Sequence, residues 1–140
     1  MPDLASQIGA SFSAQGLMRT LGAELIHVAH GEVHIALHPR PEFSQQHGYV
    51  HAGALTSVVD TACGYAAMTV APGGHEVLTV EFKVNFMRPA VADRFLAIGK
   101  VIKAGKTLTV CHGEIIGERG PGQDSIAIMQ ATIMNFAGRA

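Results

Sequence analysis

Residues 47–70 read HGYVHAGALTSVVDTACGYAAMTV, and the fold turns on how this stretch is understood. From Ala52 onward Ala54, Leu55, Val58, Val59, Ala62, Ala66 and Val70 recur at spacings of three and four, which predicts about five turns of helix. The segment is crowded with small residues and nearly free of charge. Such a helix is expected to be buried almost all round. Asp60 is the only acid between His51 and Gly74. A carboxylate in an apolar helix carries a desolvation cost of several kcal/mol unless partners offset it. At helical spacing it is flanked by Gly53, Thr56, Ser57 and Gly64, a stripe of small side chains that leaves room beside the acid. The competing reading makes Asp60 structural, accepting hydrogen bonds from Thr56, Ser57 or a neighbouring chain.

The residues before the helix form the densest polar cluster in the sequence: Gln45, Gln46, His47, Gly48, Tyr49, Val50 and His51. A helix starting near Ala52 presents unpaired N–H groups and the positive end of its dipole, where an oxyanion or polarised carbonyl fits. Ala52 and Gly53 lack bulk, so a ligand can approach the backbone. In the bland alternative His51 merely begins the helix and Gly53 merely packs.

Around this centre the pattern is β. Leu25 to Val28, a His30-Gly31 turn and Val33 to Leu37 read as strand, turn, strand, stopped by Pro39 and Pro41. After Ala71-Pro72-Gly73-Gly74, Val80, Phe82, Val84 and Phe86 alternate with Thr79, Glu81, Lys83 and Asn85, giving one apolar face. Phe95 to Lys103, Thr107 to Gly117 and Ser125 to Phe136 complete four strands. Leu4, Ile8 and Phe12 suggest a short helix within an N-terminal helical segment, residues 1–20. The expected class is α+β: an antiparallel sheet wrapped around one central helix, as a single domain over residues 1–140.

With 140 residues the chain buries about two-thirds of its extended surface without needing disulfides. Only 15% of residues are charged, which points to surface committed to a subunit interface; pairing also removes the uncovered sheet edge. Ten basic against eleven acidic residues, with no Lys or Arg run, disfavour nucleic acid. No stretch of about 18 apolar residues and no signal-like start occur, so the expected setting is cytoplasmic with no membrane partner. Cys63 and Cys111 read as core residues. His27, His30, His34 and His38 form no tight metal-ligand spacing, and although positions 34 and 38 share a strand face no acid or cysteine is expected to join them, so no metal is expected.

HGYVHAGALTSVVDTACGYA resembles the signature of hotdog-fold acyl-CoA thioesterases of the phenylacetate-degradation (PaaI-like) type. The likeness continues through VLTVEFKVNFMRPA and VIKAGKTLTV, covering Leu21 to Phe136. It implies Asp60 as general base or nucleophile, the Ala52 N–H polarising the thioester carbonyl, and His51 positioning loop and thioester. Gln45 stands where many members have asparagine, and Thr79 where they carry a hydroxyl near the acid. Two departures stand out: the common His-Gly-Gly is His51-Ala52-Gly53, and Gln45 is one methylene longer than asparagine. Gly53 and His47 are candidate substrate contacts, His47 being solvent-facing in the competing reading, and Arg88, Lys103 and Lys106, at strand ends and in a hairpin turn, are candidate counter-charges for the phosphates of coenzyme A or else ordinary surface charges. No cofactor is expected, coenzyme A being part of the substrate. The resemblance also implies a homo-oligomer, dimer or tetramer, with sites shared between subunits. Alternative functions are a hotdog hydratase or dehydratase and a non-catalytic acyl-thioester binding module.

Overall fold

In the computed structural model, residues 3–138 are described. Two short helices, α1 (Leu4–Ser13) and α2 (Gly16–Leu21), precede the hairpin β1 (Glu24–Ala29) and β2 (Glu32–Leu37). A one-turn 3-10 helix at Pro41–Phe43 leads into α3 (Ala52–Val70), which is followed by β3 (His75–Phe86), β4 (Arg94–Ala104), β5 (Leu108–Arg119) and β6 (Gly122–Ala137). The sequence pattern indicates one N-terminal helix; the structure divides the segment into α1 and α2. Asp3 caps α1 by accepting from the Ser6 N–H, and Gly22 closes α2 at φ 67°, a backbone conformation glycine adopts without steric cost.

The six strands form one antiparallel sheet in the order β1-β2-β4-β5-β6-β3, and α3 lies across it. Two glycines set how closely. A Cβ on Gly99 of β4 would come within 2.4 Å of the Ala62 carbonyl carbon, and one on Gly113 of β5 within 2.6 Å of Val59 Cγ2. The small residues of α3 and these bare positions let helix backbone rest almost directly on sheet backbone. Around that contact Val33, Ile35, Leu37, Phe95, Ile115, Met129 and Ile133 fill the core with Leu55, Val58 and Val59.

The expectation of a helix buried all round needs correcting. Thr56, Ser57, Asp60, Thr61, Gly64 and Met68 are only half-buried, because the sheet covers one side of α3 and the small polar stripe lies on the other.

The strand after α3 begins at His75, four residues before Thr79, and pairs only with β6, leaving it as a sheet edge. A bulge falls at Val80: Thr79 pairs with Ile133 but Glu81 with Thr132. One extra residue switches the parity of the strand. Simple alternation sets Thr79 on the face opposite Phe82. With the bulge, Thr79 opposite Ile133 and Phe82 opposite Ala131 both align with positions buried toward α3. Leu78, Val80, Phe82 and Phe86 remain exposed along this edge.

Candidate active site

The loop before α3 is tied down by its own backbone. Ser44 and Val50 form a bridge, Gln45 N–H donates to the Tyr49 carbonyl, Val50 N–H to Ala90 and His51 N–H to Phe43. His51 is the N-cap of α3, its Nδ1 accepting from the Gly53 N–H at 2.8 Å. An accepting Nδ1 leaves the neutral ring's proton on Nε2. Gly53 N–H is thereby occupied, and a Cβ at this position would come within 3.0 Å of His51 Nδ1. The Ala52 N–H has no acceptor among the described residues, so the first turn offers one backbone donor to a ligand.

Gln45 does more local work than the resemblance implies. Its Oε1 accepts from the His47 N–H at 2.5 Å and the Tyr49 N–H at 3.2 Å, closing the loop on itself. Only its amide N–H groups are left for a substrate. His47 is exposed, its ring 6.3 Å from that of Tyr49.

Asp60 lies two turns further along α3. Its Oδ1 accepts from Thr79 Oγ1 at 2.7 Å, a bond the bulge in β3 makes possible. The helix hydroxyls are not its partners: Ser57 Oγ donates to the Gly53 carbonyl and Thr61 Oγ1 to that of Ser57. Burial pushes the Asp60 carboxyl above the ordinary aspartate range, and the Thr79 hydrogen bond pulls partly back. The acid opens onto a cleft of about 250 Å³ whose walls include Thr61, Gly64, Tyr65 and Thr79.

Within one chain the two halves of this constellation do not meet. Ala52 and Asp60 are eight residues apart on one helix, about 12 Å along its axis. The implied counter-charges separate in the same way. Arg88 lies near the loop, its Nη1 donating to the Ser125 carbonyl and its side chain lining a surface cleft with Tyr49. Lys103 and Lys106 belong to the β4–β5 hairpin at the other end of the sheet. Lys103 pairs with Val110 in a row that continues through Thr132 to Glu81, on the surface facing away from α3.

Cys63 and Cys111 are buried and free, with Cys111 Sγ donating to the Cys63 carbonyl. Burial drives the Cys63 thiol far up and the Cys111 thiol to about 12, which suits packing and not nucleophilic attack. Acids do accompany His34 and His38, contrary to the sequence reading: Glu32 pairs with His34 at 2.6 Å and Glu24 with His38 at 3.6 Å. Among the described residues no group of three or more His, Cys, Asp or Glu converges to hold a metal. None of the described helices is long and apolar enough to cross a membrane.

Tyr65, Ser11 and Gln15, which border the cleft, escape the sequence reading. One signal was present: a tyrosine in an alanine-rich buried helix must find a partner for its hydroxyl.

An antiparallel sheet laid on one long central helix is the hotdog arrangement, shared with solved structures of thioesterase family proteins. The chain belongs to the thioesterase superfamily, whose family model matches residues 47–122, and its activity class is thioester hydrolysis. A thioesterase family protein from Silicibacter pomeroyi superposes with a TM-score of 0.94 at 40% identity, covering 97% of this chain and 100% of that one. The Escherichia coli PaaI protein from the phenylacetic acid degradation operon shares the fold at a TM-score of 0.86 and 22% identity, covering 96% and 94%. The medium/long-chain acyl-CoA thioesterase YigI of Salmonella typhimurium is 24% identical over 135 residues, 86% of this chain and 84% of YigI.

Proposed function

We propose that the protein hydrolyses an acyl-CoA thioester to the free acid and coenzyme A, using Asp60 of one protomer and the α3 start of a second. The observation that carries this reading is the half-buried Asp60, raised by burial, with one oxygen fixed by Thr79 and the other free over an open cleft. As general base the free oxygen takes a proton from water, and the water oxygen attacks the thioester carbon. The oxyanion that forms is met by the Ala52 N–H, with His51 Nε2–H and the Gln45 amide as neighbouring donors. Collapse breaks the carbon–sulfur bond, and the thiolate leaves with the proton from Asp60. Direct attack by the carboxylate, through an anhydride that water then opens, uses the same groups. No bound cofactor is required.

The spacing of about 12 Å supports a dimer, because donor and base must both lie within hydrogen-bond reach of one reacting group. The exposed edge of β3 and the open polar stripe of α3 supply surface for it.

Thiol release from an acyl-CoA panel, with sedimentation on the same preparation, tests the reading. Hydrolysis by a dimer or larger assembly is expected. Hydration without thiol release, saturable binding without turnover, or a fully active monomer would each overturn it.

A further inference from the structure

The β4–β5 hairpin differs from the rest of the chain in charge. Residues 94–113 hold four of the ten Lys and Arg residues, namely Arg94, Lys100, Lys103 and Lys106, and no Asp or Glu, in a chain whose formal charge is -1. Arg94 is paired with Glu118, and Lys100 lies 3.8 Å from Glu32. Lys103 and Lys106 enter no ion pair among the described residues. Along the row of the sheet that Lys103 occupies, the acid is Glu81, separated by three strand spacings, about 14 Å. That exceeds the screening length of about 8 Å at physiological salt, and the Glu81 carboxylate already accepts from Thr132 Oγ1. The two lysines are therefore uncompensated.

The same hairpin exposes apolar side chains. Residues 102–108 are an unbroken exposed run. Within it Ile102 is 60% exposed, the most of any large apolar residue described, and Leu108 is 47% exposed. Ile102 is the extra residue of a bulge, since Val101 pairs with Cys111 and Lys103 with Val110. The turn is held in place from beneath. Gly105 N–H donates to the Leu108 carbonyl, and the buried Asn135 gives its backbone N–H to the Thr107 carbonyl and its side-chain amide to those of Lys106 and Thr107. Small ligands seek concave sites, whereas an unbroken exposed turn suits a broad, flat partner. Lysines set beside isoleucine and leucine match a surface that is anionic at its face and apolar beneath. We infer that the β4–β5 hairpin docks the protein on anionic phospholipid bilayers, with Lys103 and Lys106 meeting the headgroups and Ile102 and Leu108 entering the acyl boundary. The expectation of no membrane partner rests on spanning segments, which docking at a surface does not need. The inference is independent of the chemistry at Asp60.

The test is cosedimentation with phosphatidylcholine vesicles, alone and with roughly one-third phosphatidylglycerol, across a salt series, with melting temperatures taken alongside. The parent is expected to bind the mixed vesicles and not phosphatidylcholine alone, and to bind less as salt rises. Lys103→Glu combined with Lys106→Glu should lower partition by about tenfold or more. Ile102→Ser combined with Leu108→Ser should lower it several-fold at fixed salt. All four positions are exposed, so the variants keep the core intact. The chain has no tryptophan, so Ile102→Trp adds a single reporter whose emission should shift to the blue on the mixed vesicles and be quenched by lipids brominated on their acyl chains. No binding to mixed vesicles at low salt, full binding by the lysine variant, or an unshifted emission from Ile102→Trp would overturn the inference. So would lysine variants that bind vesicles as the parent does while raising KM for an acyl-CoA, which would assign these cations to coenzyme A.

Discussion

Replacing Asp60 with asparagine separates a catalytic acid from a structural one. The side chain keeps its shape, and its Oδ1 can still accept from Thr79 Oγ1, so the contact with β3 survives. What disappears is the charge and the ability to take a proton. General-base catalysis contributes about 10² to 10⁴ in rate, so kcat should fall at least 10²-fold, about 2.7 kcal/mol of barrier. Stability should move the other way or not at all. Burial is the larger influence on this carboxyl and raises its pKa. An acid raised on folding favours the fold most below its unfolded pKa and loses that contribution as pH climbs through the folded value. At neutral pH the charged Asp60 is therefore a net cost, and Asp60→Asn should melt at or above the parent temperature. That advantage should shrink as the pH is lowered through the raised value, where the parent carboxyl becomes neutral. The parent kcat/KM should also show an acid limb above the ordinary aspartate range. Thiol release followed with a chromogenic reagent gives the rates, and calorimetry across pH gives the melting temperatures. An Asp60→Asn protein that turns over within about tenfold of the parent, or that loses activity only in step with lost folded dimer, would refute the reasoning.

Thr79→Val removes the hydrogen bond that pulls the Asp60 pKa down, so the acid limb of the pH–rate profile should move to higher pH while activity persists on its alkaline side. Ala52→Pro deletes the free N–H at a position where helices tolerate proline, and kcat should drop by about 10² to 10³ with an unchanged circular dichroism spectrum. Phe82→Glu places a charge on the exposed edge of β3 and is expected to yield an inactive monomer by sedimentation. Gly99→Ala drives a methyl into the backbone of Ala62 and Cys63; overpacking there should cost about 1 to 3 kcal/mol, lowering the melting temperature by roughly 3 to 10 °C.

Much of this protein was local enough to be legible along the chain. The three-and-four spacing of Ala54 to Val70 fixes a helix whatever surrounds it, and its observed span of Ala52–Val70 begins and ends where the pattern does. Period-two runs likewise locate the last three strands to within about three residues, since alternation and turn chemistry are properties of neighbours. Asp60 stood out because a lone acid in an apolar helix is costly in any fold. Tertiary structure decided which groups these features meet. Strand order is a matter of long-range pairing, so nothing before β3 announces that it leaves α3 only to become the edge beside β6. The bulge at Val80 arises from that pairing, and it alone brings the Thr79 hydroxyl to the acid. Gln45 and Gly53 lost freedom to hydrogen bonds within their own loop and helix cap, whose geometry depends on backbone folded around them. Ser11 and Gln15 reach Tyr65 across separations of 54 and 50 residues, a distance over which no periodicity carries information. The sequence determined the elements and the one costly charge; the fold determined what lies within hydrogen-bond reach of it, because reach is set by packing between segments and not by spacing along the chain.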